Sequence, residues 1–373
     1  MTTHSPWDRP LTRRSALTLF SAAGAALTLS ACAGGPRSTG AGAGPAASTA
    51  GGGEVVYAGY GGSYNDAVAQ AYFEPVSAQL GVDVRVVDGA FDIPRIISAV
   101  RSGTAEFDIV DVSDHDYGQL VNAGVLEELD PGVVDAGGIA DSAFVPRDLL
   151  VTAHGLSSYL FSKNVMWNTE VADSMNSWAD VWDVQRYPGK RGFHNYPQML
   201  LETALLADGV PVAQIYPLDV DRAFAALDRI KPHAVFLGTS QLENLVAQGE
   251  IVAGNLTLGR VKALMESGLP VRYSWNQAVT ESNRLVVLKG ARNRDAAMAV
   301  VAATLQPDRQ VALTELTGYS PTLTAAWDQL DAAALADLSG SPRTAGEALF
   351  LDYQWWADNG EATTARFQDW LAG

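Results

Sequence analysis

Charged side chains follow directly after a short β-prone run, residues 107–112, and could bind a cation or take part in acid–base chemistry. Asp114 and Asp116 flank His115 at this point of the chain. The two carboxylates could bind the ammonium group of a ligand, and they could equally cap the helix that follows. A calcium loop is disfavoured, because the glycine and the terminal glutamate of calcium-loop spacing are missing.

The chain offers little for covalent or metal-assisted catalysis. It has no G-x-S-x-G elbow, no phosphate-binding G-x-x-x-x-G-K-[ST] loop and no pair of His or Cys residues at metal-ligand spacing. The five histidines are scattered: His4, His115, His154, His194 and His233. His115 is the one candidate base, and no nucleophile accompanies it. We therefore expect no enzyme, no cofactor and no metal site.

The elements that must position these residues alternate between strands and helices. Residues 54–58, 82–87 and 107–112 are β-prone, and the first run is followed by Gly59-Tyr60-Gly61-Gly62-Ser63-Tyr64. A helix capped by Ser63 or Asn65 should come next. The alternation predicts an α/β fold, and open α/β sheets bind ligands where their strands end.

The first 32 residues have the features of an export signal. Arg13 and Arg14 precede an uncharged apolar run, residues 15–31, that is short for a transmembrane helix. Leu29-Ser30-Ala31-Cys32 has the order of a bacterial lipobox, whose cysteine is acylated after cleavage. Cys32 is the only cysteine, so no disulfide is available, and a buried core thiol is the alternative. The arginine pair resembles a twin-arginine signal, although an ordinary secretory signal also begins with positive charge.

The composition separates a tether from a globular body. Residues 32–53 contain no large apolar side chain after the cysteine and predict a flexible, lipid-anchored linker. The chain has 42 acidic and 25 basic residues and a formal net charge of −17, which disfavours nucleic-acid binding. The body of about 320 residues exceeds one ordinary core, so two lobes are expected.

Several runs, in their order and spacing, resemble the extracellular solute-binding receptors of ABC importers, especially the spermidine/putrescine group and its amino-acid-binding relatives. These runs are Gly61–Tyr64, Ser177–Asp183, Tyr187–Arg191, Ala207–Gly209, Ile215–Phe224, Lys289–Asn293, Gly318–Thr322 and Asp352–Trp356. Each also has a plain structural explanation, such as a packed helix face for Trp178 and Trp182. They indicate the family without identifying the solute.

The resemblance implies a two-lobed periplasmic-binding-protein fold of type II, with the ligand cleft between the lobes. The expected division is a signal peptide (1–31), the linker (32–53), lobe 1 (54–162 plus 281–324) and lobe 2 (163–280 plus 325–373). The chain would cross between the lobes near Phe161, Thr280 and Ala325, and the permease of an ABC importer would recognise hinge closure.

The resemblance also implies a monomer that acts at the outer face of the cytoplasmic membrane or in the periplasm. An adhesive or enzymatic surface lipoprotein that uses the same cleft is the alternative.

Polyamine receptors of this family enclose the methylene chain with aromatic rings and bind the ammonium groups with carboxylates. Tyr64 and Ser113 fall on matching positions. Asn283 and Met199 stand where the family has acidic residues, and Thr257 replaces a tryptophan. A long dication is therefore expected to bind badly, because a buried ammonium group without a partner is costly.

One ammonium group can still be accommodated, by Asp114 or by Glu281, although Glu281 could instead face solvent. Arg260 could bind a carboxylate or form a surface ion pair. These residues predict an amino acid of the γ-aminobutyrate type or another monoamine, with a polyamine second. The candidate ligand-binding residues are Tyr60, Tyr64, Ser113, Asp114, Arg260, Trp275, Glu281 and Asn283.

Overall fold

The computed structural model describes residues 53–87, 92–139, 150–341 and 343–373. The predicted signal peptide with Arg13 and Arg14, the predicted lipidation site Cys32 and the linker up to residue 52 lie outside the described residues. Within the described ranges, no helix combines the length and the apolar composition that a membrane span requires.

The strands form one mixed sheet. They are β1 (Glu54–Ala58), β2 (Asp83–Val87), β3 (Ile109–Ser113), β4 (Gly155–Asn168), β5 (Lys190–His194), β6 (Ala234–Leu237), β7 (Ile251–Gly254), β8 (Val271–Val287) and β9 (Leu349–Phe350). Their order is β2-β1-β3-β8-β4-β7-β5-β6, and β9 pairs with β8. Strands β1 to β3 are mutually parallel, as are β5 to β7, whereas β4 and β8 are antiparallel to their neighbours in this order.

Helices cover both faces of the sheet. They are α1 (Gly62–Val68), α2 (Glu74–Leu80), α3 (Ile93–Arg101), α4 (Asp114–Ala123), α5 (Trp178–Trp182), α6 (Leu200–Ala207), α7 (Val220–Ile230), α8 (Thr239–Ala247), α9 (Leu258–Glu266), α10 (Arg294–Thr304), α11 (Pro307–Thr317), α12 (Thr324–Trp327), α13 (Ala332–Leu335) and α14 (Tyr353–Ala372). A π-helical segment, Ala69–Phe73, joins α1 to α2. Local signals set several ends: the Asp219 side chain accepts the Arg222 N–H at the start of α7, and Gly81 ends α2 in the left-handed conformation.

Two long strands, β4 and β8, run through both halves of the sheet. Residues 155–161 of β4 pair with 281–286 of β8, beside β3, whereas residues 165–168 pair with 271–274, beside β7. Phe161 pairs with Glu281 between these regions, and Ser162 pairs with Thr280. A register shift between Lys163 and Val165 leaves residues 275–278 as a bulge.

Buried apolar residues form separate clusters in the two halves. Ile109 and Val110 alternate in β3 and belong to clusters on opposite faces of the sheet. Phe193 and Phe224 lie in a third cluster, between the other half of the sheet and α7. Burying each such side chain contributes about 1.5–3 kcal/mol. Ala326 belongs to the cluster of Ile109, whereas Asp337 accepts a hydrogen bond from Trp275.

The mixed α/β fold class predicted from the sequence is confirmed. Strand β1 has the predicted bounds, and β2 and β3 begin one and two residues later than predicted. The predicted cap of the first helix is wrong. The helix begins at Gly62 after Gly61, whose φ of 83° favours glycine, and Asn65 lies within the helix and donates to the Val87 carbonyl at 3.2 Å.

Candidate ligand-binding site

A cavity of about 410 Å³ lies where the ends of several strands meet the beginnings of α4, α8 and α9. Its lining comes from segments far apart in the chain: Tyr60, Gly61, Tyr64, Ser113, His115, Asp116, Tyr159, Phe161, Tyr196, Thr239, Ser240, Thr257, Arg260, Glu281, Asn283 and Tyr319. The volume suits a small organic solute.

Aromatic rings form one wall of the cavity. Tyr159 and Tyr319 stack with ring centroids 4.8 Å apart and planes inclined by 8°. Tyr64 lies 5.8 Å from Tyr159, and Tyr60 lies 5.8 Å from Tyr64. Such a wall can pack against methylene groups and attract a cation to the ring faces. We call this part of the cavity the tyrosine end.

A histidine between two carboxylates borders the tyrosine end. His115 Nδ1 is 2.8 Å from Glu281 Oε1, and its Nε2 is 3.5 Å from Asp116 Oδ1. Burial lowers the pKa of His115, but Asp116 and Glu281 outweigh this effect and raise the pKa to about 9. The protonated form of His115 is therefore favoured between the Asp116 and Glu281 carboxyl groups.

A further carboxylate, Asp111, lies behind the tyrosine end and does not line the cavity. It accepts hydrogen bonds from the Tyr57 hydroxyl at 3.0 Å, from the Tyr64 hydroxyl and from Asn283 Nδ2 at 2.8 Å. Burial raises the pKa of Asp111 to about 6, while these three hydrogen bonds act in the opposite direction. Asp111 is therefore ionised at neutral pH.

Positive charge also lines the cavity, close to Tyr319. Arg260, in the first turn of α9, is 41% exposed, and its Nη1 is 3.4 Å from Glu243 Oε2. Helices α8 and α9 both begin at the cavity, at Thr239 and just after Thr257. Helix N-termini carry partial positive charge, which favours an anionic group near Thr239 and Thr257.

A buried lysine supports the cavity wall at Tyr196. Lys163 Nζ donates to the Tyr196 hydroxyl at 2.8 Å, and the Tyr196 ring stacks on His115 with centroids 6.4 Å apart. Burial lowers the pKa of Lys163 to about 7, against the attraction of Glu281 and Glu202. The side chain is fully buried, so its charge is costly to hold.

Most of the residues predicted from the sequence meet at this cavity, namely Tyr60, Tyr64, Ser113, Arg260, Glu281 and Asn283. Glu281 is 2% exposed and faces His115, so the solvent-facing alternative is wrong. Arg260 lines the cavity, where it could bind a carboxylate, and it also forms the ion pair that was the alternative, with Glu243. Thr257 lines the cavity as well, whereas Met199 is buried in the core before α6.

Two predicted residues lie elsewhere, which corrects the sequence interpretation. The Asp114 carboxylate is fully buried and accepts from Arg284 Nε at 2.6 Å and from the Ser282 N–H at 2.9 Å. Its charge is therefore already compensated. Trp275 lies in the bulge of β8, where its Nε1 donates to Asp337 Oδ1 at 3.3 Å.

The sequence interpretation missed several lining residues that simple signals could have found. Tyr196 and Thr239 follow the ends of β5 and β6, so the rule that selected Tyr60 and Ser113 applies to them too. Tyr159 and Phe161 alternate in β4 and share a face. The described residues contain no group of three or more His, Cys, Asp or Glu side chains that could hold a metal ion.

Comparison with known proteins gives consistent matches. A family model described as bacterial extracellular solute-binding protein matches residues 69–339. The gamma-aminobutyric acid-binding protein of Pseudomonas aeruginosa is 30% identical over 321 residues, covering 84% of this chain and 89% of that protein. The spermidine/putrescine-binding periplasmic protein of Escherichia coli K12 is 23% identical over 155 residues, covering 41% of this chain and 44% of that protein.

A solved structure of a GABA receptor is similar over the whole body. It superimposes with a TM-score of 0.78 at 32% identity, and the match covers 85% of this chain and 97% of that chain.

Proposed function

The chain belongs to the bacterial extracellular solute-binding proteins, and we propose that it captures a small amino acid of the γ-aminobutyrate type for an ABC importer. Its relatives are binding proteins of transport systems rather than enzymes. The type II periplasmic-binding-protein fold and the resemblance stated from the sequence are both confirmed.

The presence of acidic and basic side chains around one cavity carries this proposal. Asp116 and Glu281 place two carboxyl groups beside the single imidazole of His115, which favours an ammonium group at this point. Arg260 and two helix N-termini line the same cavity and match a single carboxylate. A zwitterion with a short methylene chain would satisfy both sets of groups, and the tyrosine rings would pack against its methylene groups.

A polyamine is the second candidate, favoured by the three carboxylates of Asp111, Asp116 and Glu281 near the tyrosine end. Arg260 lines the same cavity and repels ammonium groups, of which a polyamine carries at least two and an amino acid of the γ-aminobutyrate type carries one. The charge distribution therefore favours the amino acid.

We also propose that Cys32 is acylated, that residues 32–53 tether the body, and that Arg13 and Arg14 direct export. On this proposal the lobes comprise residues 54–162 with 281–324 and 163–280 with 325–373, and they close about Phe161 and Thr280. The separate core clusters and the continuous strands β4 and β8 support this division. Closure around the solute would present the receptor to the permease.

Calorimetry on the purified protein tests the solute class. We expect γ-aminobutyrate to bind more tightly than butylamine, which lacks the carboxylate, and than butyrate, which lacks the ammonium group. Putrescine and spermidine should bind more weakly than γ-aminobutyrate. Micromolar binding of spermidine that Arg260→Ala leaves unchanged would return the protein to the polyamine class.

A further inference from the structure

Asp111 is a buried charge that the proposed function does not use. It is 1% exposed and separated from the cavity by the side chains that donate to it. Its position in β3, immediately behind two lining residues, makes it a candidate for directing how those residues meet a ligand.

The carboxylate dictates the orientation of the Asn283 amide. An ionised carboxylate can only accept hydrogen bonds, so the amide must turn its NH₂ group toward Asp111. Asn283 Nδ2 lies 2.8 Å from Asp111 Oδ1 and 3.2 Å from the Tyr60 hydroxyl oxygen, which engages both of its N–H bonds. The carbonyl oxygen is then the polar group that Asn283 can offer to a ligand.

The same carboxylate determines the polarity of Tyr64. The single hydroxyl proton of Tyr64 is donated to Asp111 Oδ2, so the hydroxyl oxygen can only accept a further hydrogen bond. Tyr64 and Asn283 both line the cavity. Asp111 therefore gives two neutral side chains the same acceptor character.

We propose that Asp111 is a positioning residue for amine recognition, which orients Asn283 and Tyr64 so that both accept hydrogen bonds from the ligand ammonium group. This inference rests on the proposed function, since it concerns the ammonium end of the same ligand. The uncharged amide of Asn283 can then bind the ammonium group, because the negative charge is on Asp111, directly behind the cavity wall.

The test compares γ-aminobutyrate with 4-hydroxybutyrate, which carries a hydroxyl group in place of the ammonium group. The measured quantity is the ratio of the two dissociation constants for the full chain and for Asp111→Asn. The new amide must direct its NH₂ group either at Asn283 or at the tyrosine hydroxyls, so at least one acceptor turns away. Because the lost hydrogen bond is one to a charged ammonium group, the preference for γ-aminobutyrate should fall about tenfold or more.

A merely structural role of Asp111 would weaken both ligands equally and leave the ratio unchanged. Asp108→Asn is the matched control, because Asp108 is also buried and accepts from the backbone N–H groups of Val56 and Arg292, away from the cavity. Its ratio should stay at the parent value. A loss of ratio in the control equal to that in Asp111→Asn would overturn the inference.

If Asp111→Asn does not fold, Tyr64→Phe is the variant that tests the inference. It removes one acceptor oxygen while Tyr57 and Asn283 still donate to Asp111, and the ratio should fall at least threefold. An unchanged ratio in a folded variant overturns the inference and leaves the proposed function standing. A parent protein that binds no γ-aminobutyrate refutes the proposed function and the inference with it.

Discussion

Replacing Arg260 by alanine should weaken carboxylate-bearing ligands selectively. Arg260 lines the described cavity in the first turn of α9. A guanidinium group there can bind a carboxylate through two parallel hydrogen bonds.

The structure limits the size of the effect. A hydrogen bond between charged groups contributes about 1.5–3 kcal/mol. Arg260 is partly exposed and already pairs with Glu243 at 3.4 Å, so the lower part of this range applies. We expect a loss of about 1.5–2 kcal/mol for γ-aminobutyrate, which is a rise of roughly 10- to 30-fold in its dissociation constant.

Calorimetry with γ-aminobutyrate and butylamine separates this effect from general damage, since butylamine lacks the carboxylate and its affinity should not change. Glu243→Gln is a control of opposite sign: it releases Arg260 from its partner and should tighten γ-aminobutyrate by up to about fivefold. Equal losses for both ligands in Arg260→Ala, or no loss for γ-aminobutyrate, would refute the assignment.

Three further predictions concern stability, anchoring and motion. Because burial lowers the pKa of Lys163 from 10.5 to about 7, the unfolded chain binds more protons between these values, and the contribution of Lys163 to stability rises with pH. Relative to Lys163→Met, the parent should gain about 2 kcal/mol from pH 7 to pH 9 in urea unfolding, and parallel curves would contradict this. Cys32→Ser should move the protein from the membrane fraction to the medium or leave it uncleaved; an unacylated parent in the membrane fraction would disprove the anchor. Saturating γ-aminobutyrate should reduce the radius of gyration in small-angle scattering, and an unchanged radius would argue against closure about Phe161 and Thr280.

Much of the fold could be predicted because its determinants are local. The β-prone run 54–58 becomes β1 with the predicted bounds, and Asp219 caps α7 through its own side chain. The strand-end rule also located Tyr60 and Ser113 at the cavity, since polar residues that end neighbouring strands meet at one edge of a sheet.

The remaining errors came from partners that are distant in sequence. Asp114 and Asp116 have similar neighbours in the sequence. Asp114 pairs in the core with Arg284, 170 residues away, whereas Asp116 lines the cavity. Trp275 could not be placed because the register shift at Lys163 displaces its segment from β4. Glu281 is buried and contacts His115, which lies 166 residues earlier in the chain, so its local sequence does not distinguish it from an exposed glutamate.

The distribution of the site residues over the proposed lobes connects affinity to transport. Asp116 and Glu281 belong to proposed lobe 1, whereas Arg260 and Thr239 belong to proposed lobe 2. A ligand shifts an equilibrium between open and closed forms only by its differential affinity for them. On the proposed division, a zwitterion would contact both lobes through its two charged groups, whereas an amine without a carboxylate would lack the contact with Arg260. Arg260 should therefore govern the closed population, which the permease would recognise, as well as the affinity for the solute.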